Sequence, residues 1–291
     1  MKVDSSSTLS TTVSALLHRV WRIAGLLLLA WLMWRLLDWA AWRAVFSPDA
    51  EACRALSHQG ACWGVVPEKA RWLLLGAPGE LGGLPLTLML FASSWLLSFP
   101  LGVGLALARR SGCRWLSWPA VAVIEGARGV PLVTLLFMAA FLLPLLWPQG
   151  DAPSLLLRAG VVLTLFSSAY LAEIIRGGLQ TVPAEQSEAA ATLGLGWWGT
   201  QRKIVLPQAL RAVLPALTGH AIGLLKDTSL VMVIGLHELT GGLSLSLGGD
   251  PAWRPFYFEA YLFVGAVYAL LCLALSRLGL SLERRWARAE R

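Results

Sequence analysis

Residues 181–211 read TVPAEQSEAAATLGLGWWGTQRKIVLPQALR, running from the end of one apolar stretch, residues 155–175, into another, residues 208–236. Thr181 and Pro183 mark a helix start, and Glu185 and Glu188 suit the positive end of a helix dipole. Ala189, Ala190 and Ala191 are strong helix formers with almost no side chain. Gly194 and Gly196 permit a sharp turn. A second short helix fits residues 197–205. Pro207 opens the next long helix at a first-turn position, where its missing N–H costs little. The stretch predicts a compact helix–turn–helix held between two membrane spans, its Ala-rich side open to close approach by another surface.

Composition supports the membrane. The chain of 291 residues is 56% hydrophobic and 14% charged, with mean hydropathy +0.63. An ordinary soluble domain carries roughly 25% charged residues. No soluble fold of this length hides so much apolar surface, whereas a bilayer removes the need. A spanning helix takes roughly 20 mostly apolar residues, and six stretches qualify: residues 20–42, 84–108, 120–147, 155–175, 208–236 and 256–278. The predicted fold class is all-α, a polytopic α-helical membrane protein of about six transmembrane helices. The first stretch is too long and too Trp-rich for a cleaved signal peptide and reads as an anchor. The net charge of +7 does not point to nucleic acid, because no soluble segment offers a basic face with aromatics.

The Lys and Arg residues instead report orientation. Lys2, Arg19 and Arg22 precede the first span, and Arg109, Arg110 and Arg114 follow the second. Arg176, Arg202, Lys203 and Arg211 flank the segment after the fourth; Arg277, Arg284, Arg285, Arg288 and Arg291 follow the sixth. With six spans these four places share one side, expected to be the cytoplasm. The opposite connections carry more acids: Asp49, Glu51, Glu68, Glu80, Asp151 and Asp250. The expected organisation is a cytoplasmic tail (1–19), an extra N-terminal transmembrane helix (20–42) and an extracytoplasmic loop (43–83). A five-helix core (84–283) with its cytoplasmic segment (181–207) follows, then a cytoplasmic tail (284–291). Cys53 and Cys62 share the 43–83 loop; a disulfide and two free thiols are both open there, and an oxidising compartment favours the bond. Cys113 and Cys272 read as small residues in or near spans, and no CxxC or Cys/His metal spacing occurs.

Glu188-Ala189-Ala190, Gly194, Ile204 and Leu206-Pro207, at their spacing and directly before a span, resemble the EAA loop of ABC importer permeases. The resemblance implies a coupling element that docks on a cytoplasmic ATPase, with Glu188 as the acidic contact and Gly194 as the turn. No GxxxxGK[ST] occurs in the chain. The implied chain is therefore no ATPase and has no catalytic residues or cofactor of its own; ATP and Mg would be bound by the partner ATPase subunit. Leu86-Thr87-Leu88, IEGARGVPL at 124–132, SAYLAE at 168–173 with Arg176-Gly177-Gly178, and LKDTSL at 225–230 resemble the polar amino acid (histidine/glutamate/glutamine-type) family. That likeness covers residues 84–283 and implies a five-helix type I importer core plus one N-terminal helix. Ala127 stands where the family usually has a second arginine; Arg128 keeps the charge. The added first span and the loop with Cys53, Cys62 and Pro67-Glu68-Lys69 resemble the M-type permease subunit of general L-amino-acid transporters.

The implied function is translocation of L-amino acids by alternating access across a bacterial inner membrane, with both termini cytoplasmic. The implied partners are a second permease of a different chain, two ATPase subunits, an extracytoplasmic amino-acid-binding protein and membrane lipid. A permease for another small polar solute is the near alternative. A stand-alone secondary transporter would suit a discontinuous helix, but no repeat relates the two halves. A membrane-embedded enzyme needs clustered Ser/His/Asp, metal ligands or paired carboxylates, and the acids here are dispersed.

Polar residues at membrane depth are costly and usually face a bundle interior or a wet cavity. Glu173 and Arg176, three apart on one helix, read either as a local pair at the interface or as a path or inter-subunit contact. Ser168 and Tyr170 are compatible with the same path. Lys226 and Asp227, followed by Thr228 and Ser229, point about 100° apart on a helix and cannot pair face to face. With Gly223 before and Gly235 after, they mark a helix break that either lines the central pathway or anchors an inter-subunit network. Glu125 and Arg128 read as a local pair or as a second ATPase contact. His220 and His237 lack metal spacing and read as structural; His18 and His58 lie in flanking polar regions.

Overall fold

The structure, a computed structural model, describes residues 5–55, 60–76, 81–147 and 151–288, with side chains from residue 17 onward. Lys2, His58, Glu80 and Arg291 lie outside the described residues. Five helices are long and apolar enough to cross a membrane: Leu17–Trp42, Gly83–Arg110, Leu155–Thr181, Leu214–Ile234 and Arg254–Arg288. A bent pair, Arg114–Gly129 with Leu132–Leu146, makes a sixth if counted as one span. The chain divides into two compact units, Met1–Glu68 with Ala252–Ala260, and Lys69–Pro251 with Tyr261–Arg291.

In the first unit, α1 (Ser5–Leu37) runs into a π-helical turn, Asp38–Trp42. The helix already starts at Ser5, where the sequence reading has a tail to residue 19. From Leu17 onward its large apolar side chains are exposed, as lipid requires. After α2 (Ala50–Ala55), a disulfide joins Cys53 to Cys62, Cα atoms 5.6 Å apart, and both cysteines are buried. Trp39 packs edge-on against Trp63 and Phe258, and Trp63 Nε1 donates to the Ala40 carbonyl at 2.7 Å. The Cys62 N–H donates to the buried carboxylate of Glu259 at 3.1 Å. Gly60 and Gly64 lie against the Arg43 and Ser47 carbonyls, with no room for a Cβ.

α3 (Val65–Leu75) leads into the second unit, which holds α4 (Gly83–Arg110), α5 (Arg114–Gly129), α6 (Leu132–Phe137) and α7 (Leu155–Thr181). The elements α8 (Ala184–Thr192), α9 (Trp197–Thr200), α10 (Leu206–Ala212), α11 (Leu214–Asp227), α12 (Leu239–Gly248) and α13 (Tyr257–Arg288) follow. The central contact is α4 on α7. Ser94, Ser98, Gly102 and Ala106 are buried at four-residue spacing along α4, a row of small residues that lets two helices approach in a membrane. A methyl group at Gly102 would lie 2.6 Å from Leu171 Cβ and 3.1 Å from the Ser168 carbonyl. Leu171, Ala172 and Ile175 complete this core with Ala106 and Ile124.

The third span departs from the straight helix that residues 120–147 suggest. α5 and the α6 segment meet at 103°. Pro131 removes an N–H and forces the residue before it out of helical geometry, and Val130 is extended at φ −115°, ψ 136°. α6 then loosens into a π-helical turn, Met138–Leu142, and a 3-10 turn, Leu143–Leu146. Arg158 from α7 answers the carbonyls of that turn, donating to Ala139 at 2.6 Å and Ala140 at 2.7 Å. Its Nε also donates to the Pro153 carbonyl at 2.9 Å.

The fifth span changes within the stretch from Gly223 to Gly235 where the sequence marks a break. The helix runs unbroken through Gly223 and changes at Thr228 into a 3-10 segment, Thr228–Ile234, that ends at Gly235 with φ +89°. A further break falls at Val213, just before Pro215. The Gly-rich connection after residue 240 contains a helix of its own, α12. Its cap is Glu238, fully buried. Glu238 accepts from the Thr240 N–H at 3.0 Å and the Gly241 N–H at 2.9 Å, from Thr87 Oγ1 of α4 at 3.3 Å, and from the Tyr268 hydroxyl of α13 at 2.8 Å. One carboxylate thereby ties α4, α12 and α13 together. Glu238→Ala takes this acceptor from the Thr240 and Gly241 N–H groups and the Tyr268 hydroxyl, each worth about 1–3 kcal/mol, while Thr87 keeps the Gly83 carbonyl at 3.2 Å. It should lower the thermal midpoint in detergent far more than Asp151→Ala, a change at an exposed position; equal midpoints would remove Glu238 from this role.

Candidate functional site

The segment between α7 and α10 is built from its sequence outward. The α7 helix ends at Thr181, because Val182 precedes Pro183 and is extended at φ −80°, ψ 122°. Pro183 then caps α8, with Glu185 in the first turn. α8 closes on Gly194, whose φ is +76°. The Gly194 N–H donates to the Ala191 carbonyl at 3.0 Å and the Leu195 N–H to the Ala190 carbonyl at 3.1 Å, the paired bonds of a Schellman motif. Thus Gly194 is required by the backbone. α9 passes into a π-helical turn, Gln201–Val205, in which the Leu206 N–H reaches back to the Gln201 carbonyl. The wider turn precedes Pro207, which has no N–H to offer, at the start of α10.

Glu188 and Ala189 are exposed, whereas Ala190 and Val205 are buried. Ile204, Leu206 and Pro207 are half-buried, and Gln208 Nε2 donates to the Ile204 carbonyl at 2.9 Å. Leu193 is 80% exposed, Trp197 49% and Trp198 71%. The two indoles meet edge-on with centroids 4.6 Å apart. The outer face of the segment is therefore an acid with a large apolar patch. Its inner face is fixed to the bundle. A methyl at Gly178 of α7 would lie 2.5 Å from the Ala209 carbonyl of α10, and Arg110 Nη1 of α4 donates to the Leu179 carbonyl at 2.7 Å.

Eight residues before the end of α7, an ion cluster joins three helices. Glu173 Oε1 lies 2.9 Å from Arg109 Nη1 of α4; its Oε2 lies 3.0 Å from Arg176 Nη2 and 3.6 Å from Arg128 Nη1 of α5. Arg109 also pairs with Glu125 at 2.8 Å. Glu125 thus finds its partner on α4 rather than three residues along its own helix. Arg128 sits over the Tyr170 ring, 5.4 Å from its centroid, and Tyr170 stacks on His220 at 6.0 Å. Ser167 Oγ contacts both Ser98 Oγ at 3.0 Å and His220 Nε2 at 2.9 Å.

The remaining sequence-derived positions divide. Ser168 and Thr228 are fully buried, with hydroxyls donating to the Leu165 and Leu225 carbonyls. Lys226 is exposed and Asp227 half-buried, and neither makes an ion pair among the described residues. Ser229 Oγ donates to the Lys226 carbonyl at 2.8 Å. Among the described residues no group of three His, Cys, Asp or Glu could hold a metal. Glu238, Arg158 and the Arg109 bridge are absent from the sequence reading. The available signal was the presence of Glu238 and Arg158 beside apolar segments, where an ionisable residue implies a partner.

A profile of the family described as binding-protein-dependent transport system inner membrane component matches residues 98–288. The chain belongs to this family. It is 41% identical over 245 residues to the inner membrane amino-acid ABC transporter permease protein YhdY of Escherichia coli, covering 80% of the chain. It is 42% identical over 212 residues to the glutamate/glutamine/aspartate/asparagine transport system permease protein BztC of Rhodobacter capsulatus, covering 73% of the chain. The chain spans 66% of the first relative's length and 49% of the second's. Among solved structures, the chain resembles a crystal structure of an amino acid ABC transporter with histidines, at TM-score 0.63 and 31% identity, covering 76% of this chain and 97% of that one. The long apolar helices fit an inner membrane component, and the segment of residues 181–211 lies wholly inside the family match.

The α7–α10 crossing in this transport component gives a paired prediction. Gly178→Ala should lower the thermal midpoint in detergent, because the methyl meets backbone. Gly177→Ala, one residue earlier with open space around it, should hold or raise it by the helix propensity gain of about 1 kcal/mol. The same response from both would refute the crossing.

Proposed function

We propose that this chain is the membrane-spanning permease subunit of a binding-protein-dependent ABC importer for L-amino acids. The observation that carries the reading is the segment from Glu188 to Pro207: a rigid, backbone-closed turn with an acid and exposed aromatics outside and a close-packed anchor on α7 inside. Such a surface suits a protein partner, since Trp anchors dominate interface energetics. The anchor transmits a push on the segment into α7, and through Glu173 into α4 and α5. The names of its relatives, which are amino-acid transport permeases, support the substrate class.

In this reading the segment docks on a cytoplasmic ATPase through Glu188, Ala189, Leu193, Trp197 and Trp198, with Ala190, Gly194, Ile204, Leu206 and Pro207 holding its shape. ATP and Mg are bound by two such ATPase subunits and none by this chain. A second permease chain, of a different type, completes the path, and an extracytoplasmic binding protein delivers the amino acid. Both termini are cytoplasmic in a bacterial inner membrane, with the Cys53–Cys62 disulfide on the oxidising side. Residues 20–42 form the added M-type helix and 84–283 the permease core. Tyr170, Glu173, Lys226, Asp227 and Ser229 belong to the solute path, and Ser168 and Thr228 support it from the core.

Uptake of labelled L-amino acids into proteoliposomes holding the full complex tests the function. ATP- and binding-protein-dependent, vanadate-sensitive uptake is expected; uptake without partner subunits would refute it. Glu188→Ala with Trp197→Ala and Trp198→Ala should abolish co-purification of the ATPase, since anchors of this kind are each worth about 2 kcal/mol or more. Lys226→Ala and Asp227→Asn should keep the ATPase bound and lose uptake. Wild-type flux in both would take these two residues off the path.

A further inference from the structure

The carboxyl-terminal end of α13 carries a one-sided row of arginines. On a helix with 100° per residue, Arg277, Arg284 and Arg288 fall within about 40° of one another, with Ser281 among them. Arg285 and Leu280 flank the row. The six residues line an open recess of about 530 Å³. All four arginines are exposed, and none makes an ion pair among the described residues. Glu283 faces away from the row, about 120° round the helix.

The opposite face of this helix is fixed. Gly279 lies against Thr218 of α11 so closely that a Cβ would overlap its side chain. Trp286 is stacked under Arg211 of α10, 5.8 Å from guanidinium to ring. The arginine row therefore has a set direction rather than sweeping freely. The row also continues an apolar face of the same helix: Leu270, Leu273 and Leu280 are exposed and fall within about 60° of Arg277 round the helix. Guanidinium groups beside exposed leucines match a phosphodiester above an acyl chain. Basic clusters next to a membrane helix bind anionic lipid in this way, and arginine suits phosphate because its planar fork donates two bonds at once.

We infer that Arg277, Arg284 and Arg288, with Leu280 and Ser281, form a binding site for the headgroup of an anionic phospholipid. The inference rests on α13 crossing the membrane and not on the transported solute. Occupancy would brace α13 against α10 and α11 where the coupling segment enters the bundle.

The test is native mass spectrometry of the full chain in mild detergent, titrated with phosphatidylglycerol and, separately, phosphatidylcholine. The wild type should prefer phosphatidylglycerol. Arg277→Gln, Arg284→Gln and Arg288→Gln should weaken that preference roughly fivefold for each arginine removed, while the three Lys substitutions keep most of it. The Lys variant guards against a folding artefact. Phosphatidylglycerol adducts that persist in excess inorganic phosphate support a lipid site; their displacement by phosphate would make this a free-anion site and overturn the proposal. Unchanged phosphatidylglycerol preference in the triple Gln variant would also overturn it. In a separate purification of the full complex, loss of the ATPase from the triple Gln variant, with the phosphatidylglycerol preference of the chain itself unchanged, would make the row a protein contact and refute the lipid site. Lipid preference is read on this chain alone, so failure here leaves the transport reading standing, and loss of uptake elsewhere leaves this one standing.

Discussion

Hydrocarbon offers no hydrogen-bond partners, so every interruption of a membrane helix must be closed by the protein itself. This chain interrupts its helices repeatedly, and three of the interruptions show how they are answered. The bend at Pro131 falls where proline has no N–H to lose. The π-helical turn at Met138–Leu142 has its Ala139 and Ala140 carbonyls met by Arg158. The end of the 3-10 segment at Gly235 is followed by Glu238, which caps α12 with its carboxylate. The charged residues at these points are consequences of the breaks more than ornaments on them.

The segment between α7 and α10 is fixed to the bundle in the same way. Here α8 ends in a turn closed by two backbone bonds, α10 touches α7 backbone at Gly178, and Arg110 caps the end of α7. About two turns deeper, Glu173 gathers arginines from α4, α5 and its own helix. A surface of Glu188, Leu193, Trp197 and Trp198 thus sits on a frame in which α4, α5, α7 and α10 share contacts.

Much of this was legible in the sequence. Apolar run length identified spanning helices because burial of the backbone dictates about 20 residues. The helix–turn–helix was legible because its determinants are local: Pro183 before α8, Gly194 at a left-handed turn, Pro207 at the start of α10. The bend in the third span was also written locally, in Val130-Pro131, but the apolar pattern on both sides masked it. The change of helix type in the fifth span falls at Thr228, inside the Gly223–Gly235 stretch that the sequence marks, and it ends at the left-handed Gly235.

The sequence by itself determined a polytopic helical membrane protein and the shape of one connecting segment, since hydropathy and turn chemistry act between near neighbours. The tertiary structure alone decided which charges meet. Glu125 chose Arg109, sixteen residues away, over Arg128, and Glu238 found Thr87, 151 residues before it, and Tyr268, 30 residues after it. Pairing of that kind depends on how helices cross, and crossing is set by small residues such as Gly102 and Gly178, which carry no charge and leave no motif.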